Sequence, residues 1–301
     1  MHTGIDIARF RHLYPFKSHY LDINGLSCHY LDEGAGQPIV MLHGNPTWSF
    51  YFRELIRGLS GRYRSIAPDH IGCGLSEKPG TDRYDYRLQS RVDDLGALMD
   101  HLGLRRDITL VLHDWGGAIG MAYALQHPDR IARLILMNTA AFLPPGNKRL
   151  PWRLRILRDF PSFATLAVLG LNLFAVAALH MAPHKRLSAD VRAGLLAPYD
   201  SWRNRIALLK FVQDIPVCCR DTGYALLRSM DENLKRLSHL PMLICWGEHD
   251  FVFDQDYLSE WQARFPDAEV HRFGDAGHYV LEDQPRRILK LTEEFLSRHP
   301  L

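Results

Sequence analysis

Cysteine is scarce in this chain and arranged for nothing structural. The five, Cys28, Cys73, Cys218, Cys219 and Cys245, are an odd number among 301 residues. No pair has metal-ligand spacing, and the adjacent two would bridge only with strain. That argues against a disulfide-stapled secreted scaffold and a cysteine-ligated metal centre, and reduced thiols in a cytoplasmic protein are the simplest reading. A dominant charge is also missing. The formal net charge is +2, with Lys and Arg scattered, so no basic stripe points to nucleic acid. The first ten residues lack the charged-then-apolar order of a secretory leader. The sixteen histidines show no ligand spacing and no glycine loop is built to cradle phosphate, so neither a metal nor an organic cofactor is expected. No internal repeat or low-complexity segment stands out.

What is present is apolar mass. Hydrophobic residues make up 47% of the chain, enough for one large domain with an inserted subdomain. The longest apolar run, 163–179, is borderline in length for a membrane span and is interrupted by Asn172. It reads first as a buried helix lining an apolar pocket, and second as a helix touching a membrane. Just before it, Arg149, Arg153, Arg155 and Arg158 alternate with Leu, Trp and Ile. They read as the solvated face of an amphipathic helix, or as a docking surface for a membrane or a partner.

Strand and helix signals alternate through the first half. Strands over 18–23 and 27–31 flank Asn24-Gly25, a two-residue hairpin signal. Strands over 38–43, 65–68, 108–114 and 131–137 are separated by helices over 48–59, 88–102 and 115–127. The alternation returns with a strand at 242–246, a helix at 255–265, a strand at 269–273 and a helix at 285–297. This order predicts a mostly parallel sheet with helices on both faces. Between 140 and 240 it stops, and six proline-marked breaks punctuate helical sequence. Residues 1–140 and 241–301 are therefore expected to form the α/β core, and 141–240 an inserted helical cap.

Residues 108–117, Ile-Thr-Leu-Val-Leu-His-Asp-Trp-Gly-Gly, are a buried strand, a sharp turn and the start of a helix. Hydrolases place a nucleophile at the apex of such a turn. Here the apex is Asp114. A carboxylate attacking an electrophilic carbon leaves an ester; the plainer role for such an Asp is a helix N-cap. A base and its orienting acid follow in the expected order. His278 lies in the Gly-rich stretch Gly-Asp-Ala-Gly-His-Tyr after a strand. Asp250 follows the strand Leu-Ile-Cys-Trp-Gly. Asp254, read as an N-cap, and Asp275, read as a turn residue, are its competitors. His-Gly-Asn-Pro at 43–46 stands where one wall of an oxyanion hole belongs. Backbone N–H groups near Asn45 and Trp115 can form the hole, and the Asn45 amide and Trp115 indole are neutral side-chain donors for an anion. Packing and turn-forming are the plain roles for Trp115 and Asn45.

On these residues the chain resembles the α/β-hydrolase superfamily, and within it the haloalkane dehalogenases. The motifs are His-Gly-Asn-Pro-Thr at 43–47, His-Asp-Trp-Gly-Gly at 113–117 and Ala-Gly-His at 276–278. The resemblance implies an eight-stranded α/β-hydrolase fold with Asp114 as nucleophile, His278 as base, Asp250 as acid, and Asn45 with Trp115 as anion donors. The region 137–139, Met-Asn-Thr, offers no alternative carboxylate. Residues 43–53, 68–79, 13–16 and 275–283 further resemble the β-lactone decarboxylases of bacterial long-chain olefin biosynthesis. That implies conversion of a cis-3-alkyl-4-alkyloxetan-2-one to a cis-olefin and carbon dioxide. It also implies a lipid-like substrate with two alkyl chains and an assembly with the other proteins of the pathway. Attack on the ring carbon and attack on the carbonyl both remain open. The apolar run suits alkyl chains, so charging Leu169 or Leu173 is expected to hurt long substrates most. Haloalkane dehalogenase is the alternative activity. Epoxide hydrolase is a further one, for which Tyr199 and Tyr224 are the available cap tyrosines.

Overall fold

The computed structural model describes residues 7–301. Residues 1–6, part of the N-terminal stretch read as lacking a leader, lie outside the described residues. Eight strands, β1 (Ser18–Ile23), β2 (Leu26–Glu33), β3 (Pro38–Leu42), β4 (Arg64–Pro68), β5 (Ile108–Asp114), β6 (Ile131–Thr139), β7 (Met242–Gly247) and β8 (Glu269–Phe273), form one sheet. Their order is β1-β2-β4-β3-β5-β6-β7-β8. β2 is antiparallel to β1 and β4, and every other pairing is parallel. The expected eight-stranded, mostly parallel sheet of the α/β-hydrolase fold is what the chain forms. The hairpin forms at Asn24 and Gly25, both at positive φ (52° and 77°), as a tight primed turn requires.

The helices before the sixth strand are α1 (Arg53–Leu59), α2 (Leu88–His101) and α3 (Trp115–Gln126). Between β6 and β7 come α4 (Trp152–Asp159), α5 (Pro161–Ala164), α6 (Leu173–Met181), α7 (Ala189–Leu196), α8 (Ile206–Gln213) and α9 (Tyr224–Asn233). After β7 follow α10 (Gln255–Arg264), α11 (Val280–Asp283) and α12 (Pro285–Arg298). Every residue of β5 is buried, as a central parallel strand covered on both faces must be. Register aligns Leu42 with Leu112, Leu112 with Leu136, and Met137 with Cys245. The carboxyl ends of β3, β5, β6 and β7 therefore meet at one edge, where open α/β sheets bind ligands.

Two expectations change. The helix read over 48–59 begins as a 3-10 turn, Ser49–Phe52, whose first N–H, that of Ser49, has no partner within the helix and donates to the buried Asp69 carboxylate (2.7 Å). The apolar run 163–179 is not one buried helix. It is two pieces, Pro161–Gly170 and Leu173–Met181, bent by 75°. The second half of the first piece, Thr165–Gly170, widens to a π-helix. Asn172 breaks the run by taking a left-handed conformation (φ 54°), and its amide donates to the Tyr199 carbonyl at 3.1 Å. Ala167, Val168 and Leu169 are buried, whereas Phe163, Leu166, Leu171 and Leu173 are exposed. Among the described residues, no single helix is long and apolar enough to cross a membrane.

Candidate active site

β5 hands over to α3 at Asp114, whose backbone sits at φ 51°, ψ −124°. A non-glycine residue holds such a conformation only when its surroundings fix it. Here they do. A Cβ on Gly44 would land on the Asp114 carboxylate, and one on Gly117 would land on the Thr139 hydroxyl, so glycine at both positions is what lets the turn close. The Thr139 hydroxyl donates to the Asp114 carbonyl. The carboxylate makes no helix-capping bond. Instead its Oδ1 accepts the Asn45 backbone N–H at 2.7 Å. One of the two backbone donors read as an oxyanion hole thus holds the carboxylate of Asp114 itself, and the Trp115 N–H favours its ionised form.

His278 lies opposite, with Nε2 at 3.6 Å from Asp114 Oδ2. Its Nδ1–H donates to Asp250 Oδ2 at 2.7 Å. Asp250 is held in turn by the Val252 N–H on Oδ1 (2.7 Å) and by Asn138 Nδ2 on Oδ2 (3.0 Å). The structure thus brings Asp114, His278 and Asp250 into one chain of contacts. Of their competitors, Asp254 caps α10 and pairs with Lys148, and Asp275 pairs with Lys185.

Three supporting residues were not read from sequence. Asn138 ties the end of β6 to β7, donating also to the Gly247 carbonyl (3.0 Å) and accepting the Gly247 N–H (2.8 Å). The Met-Asn-Thr signal was visible only as a missing carboxylate. His113 Nε2–H donates to the His278 carbonyl at 2.9 Å. Asp283 accepts the backbone N–H groups of Gly277, His184 and Lys185, each at 2.8 Å, and so fixes the loop carrying His278.

Burial pushes the Asp114 carboxyl above the ordinary carboxylate range, against the pull of His278 and the two N–H donors. Burial draws the His278 imidazole down, but Asp250 and then Asp114 outweigh it, and the ring is raised above its ordinary value. Burial and the neighbouring His278 hold His113 well below that value, so it stays neutral.

These groups face a cavity of about 990 Å³. Asn45, Asp114, Trp115 and His278 form its polar end, and Phe163, Phe174 and Ala178 are among its apolar walls. Leu173 lines it; Leu169 does not, and packs in the core instead. Asn45 is partly committed: one amide hydrogen goes to the Leu208 carbonyl on α8 (3.0 Å), and Oδ1 is without a partner. The Trp115 ring packs on Phe211, with centroids 5.3 Å apart. Tyr224 lines the cavity, but Tyr199 does not; its hydroxyl donates to the Thr47 carbonyl at 3.2 Å. Among the described residues, no group of three or more His, Cys, Asp or Glu is placed to hold a metal ion.

The profile of the alpha/beta hydrolase fold matches residues 37–285, and the chain belongs to that family. Among its relatives, a cis-3-alkyl-4-alkyloxetan-2-one decarboxylase of Shewanella oneidensis is 46% identical, over 95% of this chain and 90% of the relative. A protein of the same name from Xanthomonas campestris is 44% identical, over 96% and 98%. A haloalkane dehalogenase structure from Agrobacterium tumefaciens superposes with a TM-score of 0.83 at 29% identity, covering 94% of this chain and 97% of that one.

Proposed function

We propose that the protein decarboxylates a cis-3-alkyl-4-alkyloxetan-2-one, a β-lactone, to a cis-olefin and carbon dioxide. The observation that carries the route is the occupancy of the backbone donors. Attack on a carbonyl would need them free for a new oxyanion, yet the Asn45 N–H is spent on the Asp114 carboxylate, whose ionised form the Trp115 N–H also favours. Attack on the saturated ring carbon makes no such oxyanion. Asp114 Oδ2 attacks that carbon and inverts it; the ring C–O bond breaks and its electron pair leaves as a carboxylate. Anti loss of carbon dioxide then sends the C–C electron pair into the new double bond and returns the ester pair to Asp114. Inversion followed by anti elimination is a net syn loss, so a cis-lactone gives a cis-olefin. The second amide hydrogen of Asn45 and the Trp115 indole N–H are the donors for the departing carboxylate. His278, oriented by Asp250, balances the charge on Asp114.

The cavity supports a substrate with two alkyl chains: its volume is at the upper end of the about 300–1,000 Å³ usual for small-molecule sites, and its walls are mostly apolar, with Lys148 and the arginines of α4 at one part of them. In this reading residues 1–140 and 241–301 are the core and 141–240 the cap that closes over the chains. The cellular role is long-chain olefinic hydrocarbon biosynthesis in the cytoplasm, in an assembly with the other proteins of that pathway. Haloalkane hydrolysis is the second reading, favoured by the dehalogenase structure and by a His278 placed to activate water. Epoxide opening is disfavoured because Asn45 stands at the anion position and, of the two cap tyrosines, only Tyr224 lines the cavity, Tyr199 being committed to Thr47.

The test incubates the purified protein with a cis-3,4-dialkyl β-lactone and, separately, with a long-chain 1-haloalkane. Olefin is followed by gas chromatography and halide by its release. Cis-olefin is expected, falling by roughly 10,000-fold or more in Asp114→Ala. Halide release without olefin would move the activity to dehalogenation; a trans-olefin would sink the inversion route.

A further inference from the structure

The bent pair Pro161–Gly170 and α6 is apolar apart from Ser162, Thr165 and His180, and part of it is exposed. So apolar a segment belongs in a core or against an apolar medium. Ala175 and Leu179 of α6 are buried, but Leu173, Val176 and Ala177 are exposed, Leu173 and Ala177 along the cavity. On α4 through α6, Trp152, Phe160, Phe163, Leu166, Leu171 and Leu173 are each 49–62% exposed. Phe163 and Leu166, three residues apart, are neighbours on this piece, and Phe160 caps its start. The Leu171 N–H donates to the Leu166 carbonyl (3.0 Å), which brings Leu171 beside them. Single exposed apolar residues are ordinary; a contiguous patch marks a binding surface.

Charge defines what covers it. Residues 149–182 hold four arginines and one carboxylate, Asp159. Asp159 pairs with Arg155 and Arg158. Arg149 and Arg153 have no ion pair among the described residues, and Arg153 lies over the Trp152 ring at 4.6 Å. Arginines and a tryptophan rimming an apolar face are the chemistry of an anionic lipid–water interface. The cavity mouth opens within this patch, because Trp152, Arg153, Phe163 and Leu173 line it while being exposed. A protein partner seated there would cover the mouth, whereas a lipid surface would face it with alkyl chains.

We infer that the face built by α4, Pro161–Gly170 and α6 docks on an anionic lipid surface, lying in its plane without crossing it. A lipid-like substrate enters the cavity from that surface; this last clause rests on the proposed function, the docking itself does not. The test therefore uses no substrate. The intact protein is mixed with vesicles of phosphatidylcholine alone or with phosphatidylglycerol added, and bound protein is measured by flotation. Binding is expected to be about tenfold or more tighter on the anionic vesicles and to weaken as salt rises. The variant Phe160→Asp/Leu166→Asp/Leu171→Asp, which touches no cavity-lining residue, should lose it while keeping its melting temperature. The single variant Leu166→Ser, a milder change, should lose part of it. No binding by the wild type to either vesicle, or equal binding by the variants, overturns the proposal. So does self-association of the wild type, seen by light scattering, that the same substitutions abolish, since it would make the face a contact between copies.

Discussion

Asp114 and His278 are two buried groups of opposite charge whose protons are shared property, so they titrate as a pair. Each is displaced in a known direction: Asp114 upward by burial, His278 upward by Asp250 and Asp114 against burial. The two candidate reactions use the pair differently. Decarboxylation needs Asp114 ionised and never asks His278 for its proton to leave. Hydrolysis of an alkyl ester needs His278 neutral to take a proton from water. Olefin formation should therefore persist as pH falls until Asp114 protonates, above the ordinary carboxylate range. Steady-state halide turnover from a haloalkane, where ester hydrolysis limits it, should already fall as pH drops through the His278 value, which Asp250 raises. Profiles of kcat against pH for both substrates check this, and one shared near-neutral limb would contradict it. Asp114 was legible in sequence because a β-branched run ends at it in a small-residue turn, and His278 because it stands in a Gly-rich stretch after a strand. His113 and Asp283 were not. Their work, holding the backbone around His278, depends on strand ends and loops being brought together by the sheet.

Between elements the same reasoning falls on Asn138. It bonds β7 through both its amide groups and keeps one bond for Asp250, so it sets where the acid stands relative to β6. A hydrogen bond to a charged acceptor contributes about 1.5–3 kcal/mol. Removing it in Asn138→Ala should slow turnover by roughly ten- to a hundredfold. Asn138→Ser, which keeps a donor, should recover part of that rate. A kcat unchanged in a folded Asn138→Ala protein would show that Val252 alone positions Asp250. The alternation of strands and helices was readable from periodicity because buried parallel strands are continuous apolar runs. The run 163–179 misled for the same reason: composition shows that a segment is apolar but not that its backbone turns. Gly170 and Asn172 both tolerate a left-handed turn; Asn172 takes it, and the Tyr199 carbonyl that rewards the turn lies 27 residues away.

Across the whole molecule, the polar and apolar requirements of the site are met by different layers. The sheet edge supplies Asn45, Asp114, Asp250 and His278, fixed by strand register. The helices between β6 and β7 supply most of the walls. Sequence could divide the chain this way, since βα alternation stops near 140 and resumes near 240. It could not give the volume, which depends on how six helices pack over an edge they do not pair with. Reaction and substrate length should thus be separable by mutation. Ala178 lies on the apolar wall, on α6, and a tryptophan there would occupy part of the cavity. In Ala178→Trp, kcat/KM for long dialkyl β-lactones should fall by about tenfold or more, because each methylene that loses its place costs about 1–3 kcal/mol. Short-chain lactones, which leave that wall empty, should keep their rate to within about twofold on the same scale. A chain-length series run in competition reads the difference directly. Uniform loss at every length would mean that the substitution disturbs the carboxylate end and that this wall does not hold the chains.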